Sequence, residues 1–227
     1  MIRRRTKHKT PDKTPVETVE PAPRQDGPWD SAAAPSDDPA YIDFGTLKVR
    51  GRAGFTFQLP GSPTGEDAPA LVLVTEGAAL ELRVFAASRS GSLWDEIRPD
   101  LIADIQRHEG EFREEEGRYG TELLARIPAT LPDGSAAFQP SRIVGIDGPR
   151  WMLRATFLGT AALQVSDDDL LSMALRELIV VRGSEARIPR EPLLFKLPDG
   201  ARAVGPESTD VVVPDNGQAE DATRNDR

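Results

Sequence analysis

The sequence of 227 residues contains no cysteine and only two histidines. The missing thiols exclude disulfide bonds and thiolate metal sites, and they are compatible with a reducing compartment. His8 lies near the start of the chain, and His108 is the one imidazole of its central part. The side chains from which many catalytic and metal sites are built are therefore scarce.

Long apolar runs and signature motifs are also missing. No run approaches the roughly 20 apolar residues that a helix needs to cross a bilayer, and no hydrophobic stretch follows the basic segment 1–13 as it would in a secretory signal. We therefore expect a cytoplasmic protein without a transmembrane segment. No nucleophile elbow, zinc-protease motif, Walker loop or dinucleotide-binding glycine pattern occurs, so we predict no catalytic residue, metal ligand or cofactor.

Both ends of the chain lack the apolar periodicity of its middle. Prolines, charged residues and small residues fill the first 40 positions, and the segment after Gly200 is poor in bulky side chains. Such segments bury too little apolar surface to offset the entropy lost on ordering. We predict a disordered basic arm over 1–40, one domain over 41–200 and a disordered acidic tail over 201–227.

Charge is distributed unevenly along the chain. The formal net charge is minus 9, but residues 1–24 hold seven basic and three acidic side chains, and residues 201–227 hold three basic and six acidic ones. The part between them therefore carries minus 10, which argues against a broad nucleic-acid surface on the folded domain. The arm could still grip nucleic acid or an acidic membrane surface through a basic cluster, or it could simply aid solubility. That cluster is Arg3, Arg4, Arg5, Lys7 and Lys9.

Alternating apolar residues predict several strands before and after the middle of the chain. The most specific pattern is the pair Asp147-Gly148 between the apolar runs 143–146 and 151–157, which predicts a β-hairpin. Another hairpin is predicted around Glu76-Gly77. The segment 109–117, rich in glutamate, is interpreted as an acidic loop.

Two segments have helical spacing. Ser92 precedes apolar residues at intervals of three and four, although Pro99 predicts a kink or two short helices. A second helix is predicted from Ser166, where Asp167–Asp169 fit a helix N-terminus. The pattern predicts the α+β class, an antiparallel sheet with two main helices packed on it.

Three arginines and one histidine are the candidate functional residues of the domain. Arg150, Arg154 and Arg182 could form an anion-binding or partner-binding patch, or they could pair with surface carboxylates. His108 could act as a general base oriented by Asp104, or it could interact with the end of its helix.

Four stretches resemble an uncharacterised actinobacterial family, domain of unknown function 3710. They are residues 146–154, 159–162, 180–183 and 192–198. The resemblance covers about 41–198 and implies no catalytic residue, cofactor or substrate. The order of elements is also similar to the Mog/PsbP-like scaffold, whose members mostly bind other proteins.

These observations favour a noncatalytic, cytoplasmic protein-interaction domain with an unknown protein partner. One alternative is a nucleic-acid-associated protein that uses the basic arm. The other alternative is an enzyme with its site near His108.

Overall fold

The computed structural model describes residues 26–34, 38–62, 67–130, 133–164, 166–203 and 210–212. Strands account for 43% of the structure and helices for 16%. The strands are β1 (Trp29–Asp30), β2 (Tyr41–Asp43), β3 (Leu47–Arg50), β4 (Thr56–Gln58), β5 (Leu71–Thr75), β6 (Ala78–Ala86), β7 (Glu111–Gly117), β8 (Gly120–Thr130), β9 (Ala136–Gly148), β10 (Trp151–Gly159), β11 (Ile179–Val180), β12 (Pro192–Leu193), β13 (Arg202–Ala203) and β14 (Asp210–Val212). The helices are α1 (Leu93–Arg107), α2 (Thr160–Leu163) and α3 (Leu170–Glu177).

The strands form two sheets. The larger sheet has ten strands in the order β13-β14-β4-β5-β6-β10-β9-β8-β7, and β12 pairs with the last part of β6. All of its pairs are antiparallel. The smaller sheet has the order β1-β11-β3-β2, and its β1-β11 pair is parallel.

Apolar side chains lie on both faces of the larger sheet, which therefore has two cores. The first core lies between one face of that sheet, α3 and the smaller sheet, and Trp151, Leu153 and Phe157 of β10 belong to it. The second core lies under α1 on the opposite face, where Met152 packs with Trp94. Strand β10 thus contributes alternate side chains to the two cores, as the pleat of a strand requires.

The prediction of an α+β fold with two main helices on a sheet is wrong, and with it the Mog/PsbP-like scaffold. The chain is mostly β, in two sheets. Helices form at both predicted places, but α3 has only eight residues. Many of the strands that the sequence did not predict have no regular alternation of apolar and polar residues. The predicted acidic loop 109–117 contains β7, an edge strand exposed over most of its length, and several other strands have two residues.

The predicted helix at Ser92 is one continuous element through Pro99. Pro99 lies on the exposed side of α1, where water can solvate the carbonyl that loses its intrahelical hydrogen bond. A break of the helix is therefore not required.

The hairpin around Asp147-Gly148 is confirmed, but its turn lies two residues later. Gly148 pairs with Trp151 across the hairpin, so Pro149 and Arg150 form the turn. Proline favours the first central position of such turns, and Arg150 takes a positive φ of 62° at the second. Asp147 is consequently a strand residue whose carboxylate is available for α1.

Asp147 joins β9 to the first turn of α1. Its Oδ2 accepts a hydrogen bond from Ser92 Oγ at 2.7 Å, and its Oδ1 accepts one from the Leu93 amide at 3.0 Å. Ser92 in turn accepts from the Asp95 amide at 3.0 Å. The helix therefore has a serine cap and a second cap supplied by the sheet.

A single hydrogen bond links the indole of β10 to the smaller sheet. The Trp151 Nε1–H donates to Asp30 Oδ2 of β1 at 2.8 Å, and Trp151 is buried. The domain limits at residues 40 and 200 stay predictions, and β1 precedes the first of them. Of the helices in the described ranges, none combines the length and hydropathy that crossing a bilayer requires.

Candidate functional site

Two arginines face each other in the middle of the larger sheet. Arg154 of β10 lies directly opposite Arg83 of β6 in the antiparallel ladder. Directly opposite residues project from the same face. Both arginines therefore lie on the face that α1 covers further along the sheet, because their neighbours Met152 and Phe85 pack in the second core.

One carboxylate serves both guanidinium groups. Glu81 Oε1 lies 2.8 Å from Arg83 Nε and 3.7 Å from Arg154 NH2. The side chain of Arg154 is 19% exposed, and its Nε is buried without an acceptor in the described part of the chain. The three side chains therefore leave one positive charge uncompensated within the group.

Desolvation acts on the charged form of Arg154. Burial lowers the pKa of its guanidinium, the positive charge of Arg83 lowers it further, and Glu81 raises it. The guanidinium also lies over the Phe85 ring, 5.8 Å from the ring centroid. A partly buried cation beside a second cation is a site that an added anion stabilises.

Apolar and polar side chains surround this cluster on the uncovered part of the sheet. In the ladders, Val72 and Thr156 both lie opposite Glu81, and Val74 and Leu158 both lie opposite Ala79. These five neighbours of Glu81 and the three residues of the charged cluster are all half-buried. We call this surface the arginine face, and its residues are Val72, Val74, Ala79, Glu81, Arg83, Arg154, Thr156 and Leu158.

The arginine face continues into a groove of about 250 Å³. Leu158 lies opposite Ser141 in the ladder, and Ser141 lines the groove together with Phe112 and Leu163. Leu163 of α2 is 69% exposed. The groove is also lined by the charged residues Glu111, Arg113 and Arg126, so face and groove together combine apolar and charged positions.

The structure separates Arg154 from the other two predicted arginines. Arg150 lies in the hairpin turn and donates to the Gly183 carbonyl at 3.4 Å, and Arg182 donates from Nε to the Arg150 carbonyl at 3.4 Å. Burial, followed by the charge of Arg150, lowers the pKa of Arg182. These two side chains join the hairpin turn to the segment after β11, and the three arginines form no common patch.

A second charged group lies on the opposite face of the sheet, at the base of a cleft. Glu122 of β8 is only 4% exposed, and Arg142 NH1 of β9 donates to its Oε2 at 2.6 Å. Burial raises the pKa of Glu122, although Arg142 opposes the shift. The cleft has a volume of about 160 Å³ and lies between these strands and α3.

His108 lies outside both cavities. It follows α1 as the C-terminal cap, its side chain is 62% exposed, and its Nδ1 is 2.8 Å from the Asp104 carbonyl oxygen. The predicted contact with the helix end is confirmed. The general-base hypothesis gains no support, because neither cavity includes His108.

The remaining sequence-based candidates fall outside the structure or are not brought together. Arg3, Arg4, Arg5, Lys7 and Lys9 lie outside the described residues, so their role in nucleic-acid binding stays a prediction. Among the residues that the structure describes, no three histidine or carboxylate side chains gather as metal ligands do.

Sequence reasoning missed Arg83, Glu81, Glu122 and Arg142. Glu122 and Arg142 did carry a signal. In the run 142–146, Arg142 is in phase with the buried residues Val144 and Ile146, and Glu122 is a strand residue beside the buried Leu123. A charged residue in phase with a buried strand face predicts a functional or structural ion pair.

Comparisons with known proteins identify the family of the chain but no named relative. A search of curated proteins and a search of solved structures both found no match. A family model described as "Protein of unknown function (DUF3710)" matches residues 27–203, which include both sheets' central strands and all three helices. The chain belongs to this family of uncharacterised function.

Proposed function

We propose that the protein is a noncatalytic, cytoplasmic protein-interaction domain that docks a partner on the arginine face. The observation that carries this proposal is the pair Arg83 and Arg154, held side by side with one shared carboxylate. The resemblance noted in the sequence further implies that the family is actinobacterial.

The charges of the arginine face specify the chemistry of the partner. Arg154 keeps a buried Nε–H without an acceptor in the described ranges, and guanidinium groups bind carboxylates through paired, charge-assisted hydrogen bonds. A partner that places an aspartate or glutamate between Arg83 and Arg154 neutralises the positive charge that Glu81 alone does not compensate.

The apolar residues of the surface favour a protein segment over a small anion. Val72, Val74 and Leu158 flank the charges, and the neighbouring groove adds the exposed Leu163. Protein interfaces commonly combine such an apolar area with a few buried charged contacts. The preferred occupant is therefore a segment that alternates apolar and acidic side chains.

Capture of partners by three forms of the full chain tests the proposal. We expect Arg154→Gln to reduce recovery of the partner by about tenfold or more, because truncating one member of a buried charge pair at an interface costs about 2–5 kcal/mol. Arg107→Gln is the matched control, since Arg107 is 69% exposed at the end of α1. It should capture the same partner as the wild type, as measured by quantitative mass spectrometry.

The Arg154→Gln variant should remain folded. Its free energy of unfolding should change by no more than about 1 kcal/mol, because the substitution also removes the repulsion from Arg83 and the cost of burying a charge. Capture of one and the same set of proteins by all three forms would refute the proposal.

A further inference from the structure

The cleft between α3 and the larger sheet is a second site, on the face opposite the arginine face. Val144 and Phe157 line it from the sheet, Leu175 lines it from α3, and Glu122 and Arg142 complete its base. Its position shows that it is independent of the arginine face. Arg142 lies opposite Phe157 of the first core, whereas Arg154 projects to the other side.

The size of the cleft limits what can enter it. Its volume is about 160 Å³, and an apolar protein cavity of roughly 150 Å³ holds a benzene molecule. The space therefore fits a group of one ring. The walls of valine, phenylalanine and leucine favour transfer of such a ring from water.

The charges of the cleft are paired with one another. Glu122 accepts from Arg142 at 2.6 Å. Glu115 lies 3.9 Å from Arg142 as well. At the mouth, Asp167 lies 3.3 Å from Arg118 and 3.0 Å from Arg176, and Arg118 also pairs with Asp26. A charged ligand would lose its hydration and meet a like charge beside every opposite one. This arrangement selects for an uncharged ligand.

Glu122 and Arg142 supply the polar groups at the base of the cleft. The Nε of Arg142 is buried and has no acceptor in the part of the chain that the structure describes, and a buried donor without an acceptor costs about 1–3 kcal/mol. A hydroxyl or amide oxygen on the ligand could accept from the part of the Arg142 guanidinium that lines the cleft. The same hydroxyl could donate to the carboxylate of Glu122.

We propose that this cleft binds an uncharged ligand of ring size that carries a hydroxyl or amide group. The site takes a phenol-like or small amide molecule, or the corresponding end of a larger one. Glu122 and Arg142 act as binding residues that set the charge preference.

Three probes of similar shape test the charge preference. Phenol, benzoate and benzylamine are titrated into the full chain, and amide chemical shifts of β8, β9, β10 and α3 report binding. We expect the wild type to bind phenol more tightly than either ion. Shifts that respond equally to all three probes, or no shifts in these elements with any probe, would overturn the proposal.

Replacing Glu122 should change the order of affinities in a defined direction. Glu122→Gln keeps the shape of the side chain but removes the carboxylate at 2.6 Å from Arg142 and leaves Glu115, 3.9 Å away, as the remaining counter-charge. The affinity for benzoate relative to phenol should therefore rise by about tenfold. Glu185→Gln is the matched control, because Glu185 is 79% exposed outside the cleft. An unchanged benzoate-to-phenol ratio in a folded Glu122→Gln variant would overturn the proposal.

A second variant, on α3, tests the location of the site even if Glu122→Gln fails to fold. Ser172 of α3 lines the cleft and is only half-buried. Ser172→Leu therefore places a larger side chain inside the cleft and fills part of it, without replacing a core residue. Phenol binding should fall at least about tenfold in this variant as the space is filled. Retention of the wild-type affinity for phenol in Ser172→Leu would contradict the proposed location.

Discussion

Glu122 shows most clearly how one buried side chain departs from the pattern of its strand. Glu122 and Leu123 are neighbours in β8, so their side chains project to opposite faces of the sheet. Both are buried: Glu122 is 4% exposed and Leu123 is fully buried. Arg142 offsets much of the cost of burying this charge, yet the pKa of Glu122 remains raised by burial. The carboxylate is therefore held in the fold at a cost to stability when it is ionised.

This cost predicts a pH dependence of stability with a definite sign. The pKa of Glu122 is raised in the folded protein above the ordinary value of 4.5. Between that ordinary value and the raised pKa, the folded protein therefore binds more protons than the unfolded chain. Its contribution is fully present below about pH 4.5 and is lost as the pH rises through the folded pKa. The free energy of unfolding of the wild type minus that of Glu122→Gln should therefore decrease as the pH rises from 4.5.

Urea unfolding of both proteins across this pH range measures that difference. Glu185→Gln, at an exposed position, is the control and shows how much a solvated carboxylate contributes to the pH dependence of the free energy of unfolding. A difference that stays constant, or that increases with pH, would be incompatible with a raised pKa for Glu122.

Hydrogen bonds from the sheet hold the first turn of helix α1. Asp147 of β9 accepts from Ser92 Oγ and from the Leu93 amide, and Trp94 donates from Nε1 to the Thr121 carbonyl of β8 at 2.7 Å. Gly145 of β9 makes this contact possible, because a Cβ at that position would overlap the Trp94 ring. The sheet thus fixes both the cap and the docking angle of the helix.

Removal of the Asp147 carboxylate should destabilise the domain through α1. We expect Asp147→Ala to lower the free energy of unfolding by about 2 kcal/mol, because a lost cap costs about 0.5–2 kcal/mol and the Ser92 hydroxyl also loses its acceptor. Thermal unfolding with circular dichroism measures the change. Asp133→Ala is the control, since Asp133 caps an exposed turn through Ser135. Equal losses in the two variants would argue against a special role for Asp147.

The sequence predicted those elements whose apolar residues have a clear period. Strands β4 and β6 alternate, β5 is a continuous apolar run, β9 and β10 flank the Asp147-Gly148 hairpin signal, and α1 has both a cap and helical spacing. Strand β7 was missed because an exposed edge strand carries charges on both faces. Strands of two residues, such as β1 and β12, depend on partners far along the chain, which no local pattern reveals.

The same limit applies to the candidate sites. Arg154 was predicted as a candidate for binding together with Arg150 and Arg182, on the grounds of residue type. Its neighbours Arg83 and Glu81 come from β6 and meet it only through the register of the β6-β10 pair. Register is set by the pairing of whole strands, so a single sequence could not show which arginines face each other.

At the scale of the molecule, the arginine face contrasts with the charge of the domain around it. Residues 25–200 carry a net charge of minus 10, whereas the cluster of Arg83, Arg154 and Glu81 is positive. An acidic partner is therefore repelled by most of the surface and attracted at one place. Such a distribution restricts binding to partners that position a carboxylate correctly, and it uses repulsion as well as attraction for specificity.

The most direct test of the account is a chemical-shift titration of the isotope-labelled full chain with a short peptide of alternating valine and glutamate. A peptide of alternating valine and glutamine has the same shape and apolar content without the charge. We predict that the glutamate peptide shifts the amides of β5, β6 and β10, that Arg154→Gln abolishes these shifts, and that the glutamine peptide produces much weaker ones. Equal shifts from both peptides, or shifts that persist in Arg154→Gln, would contradict the proposal that this face recognises acidic partners.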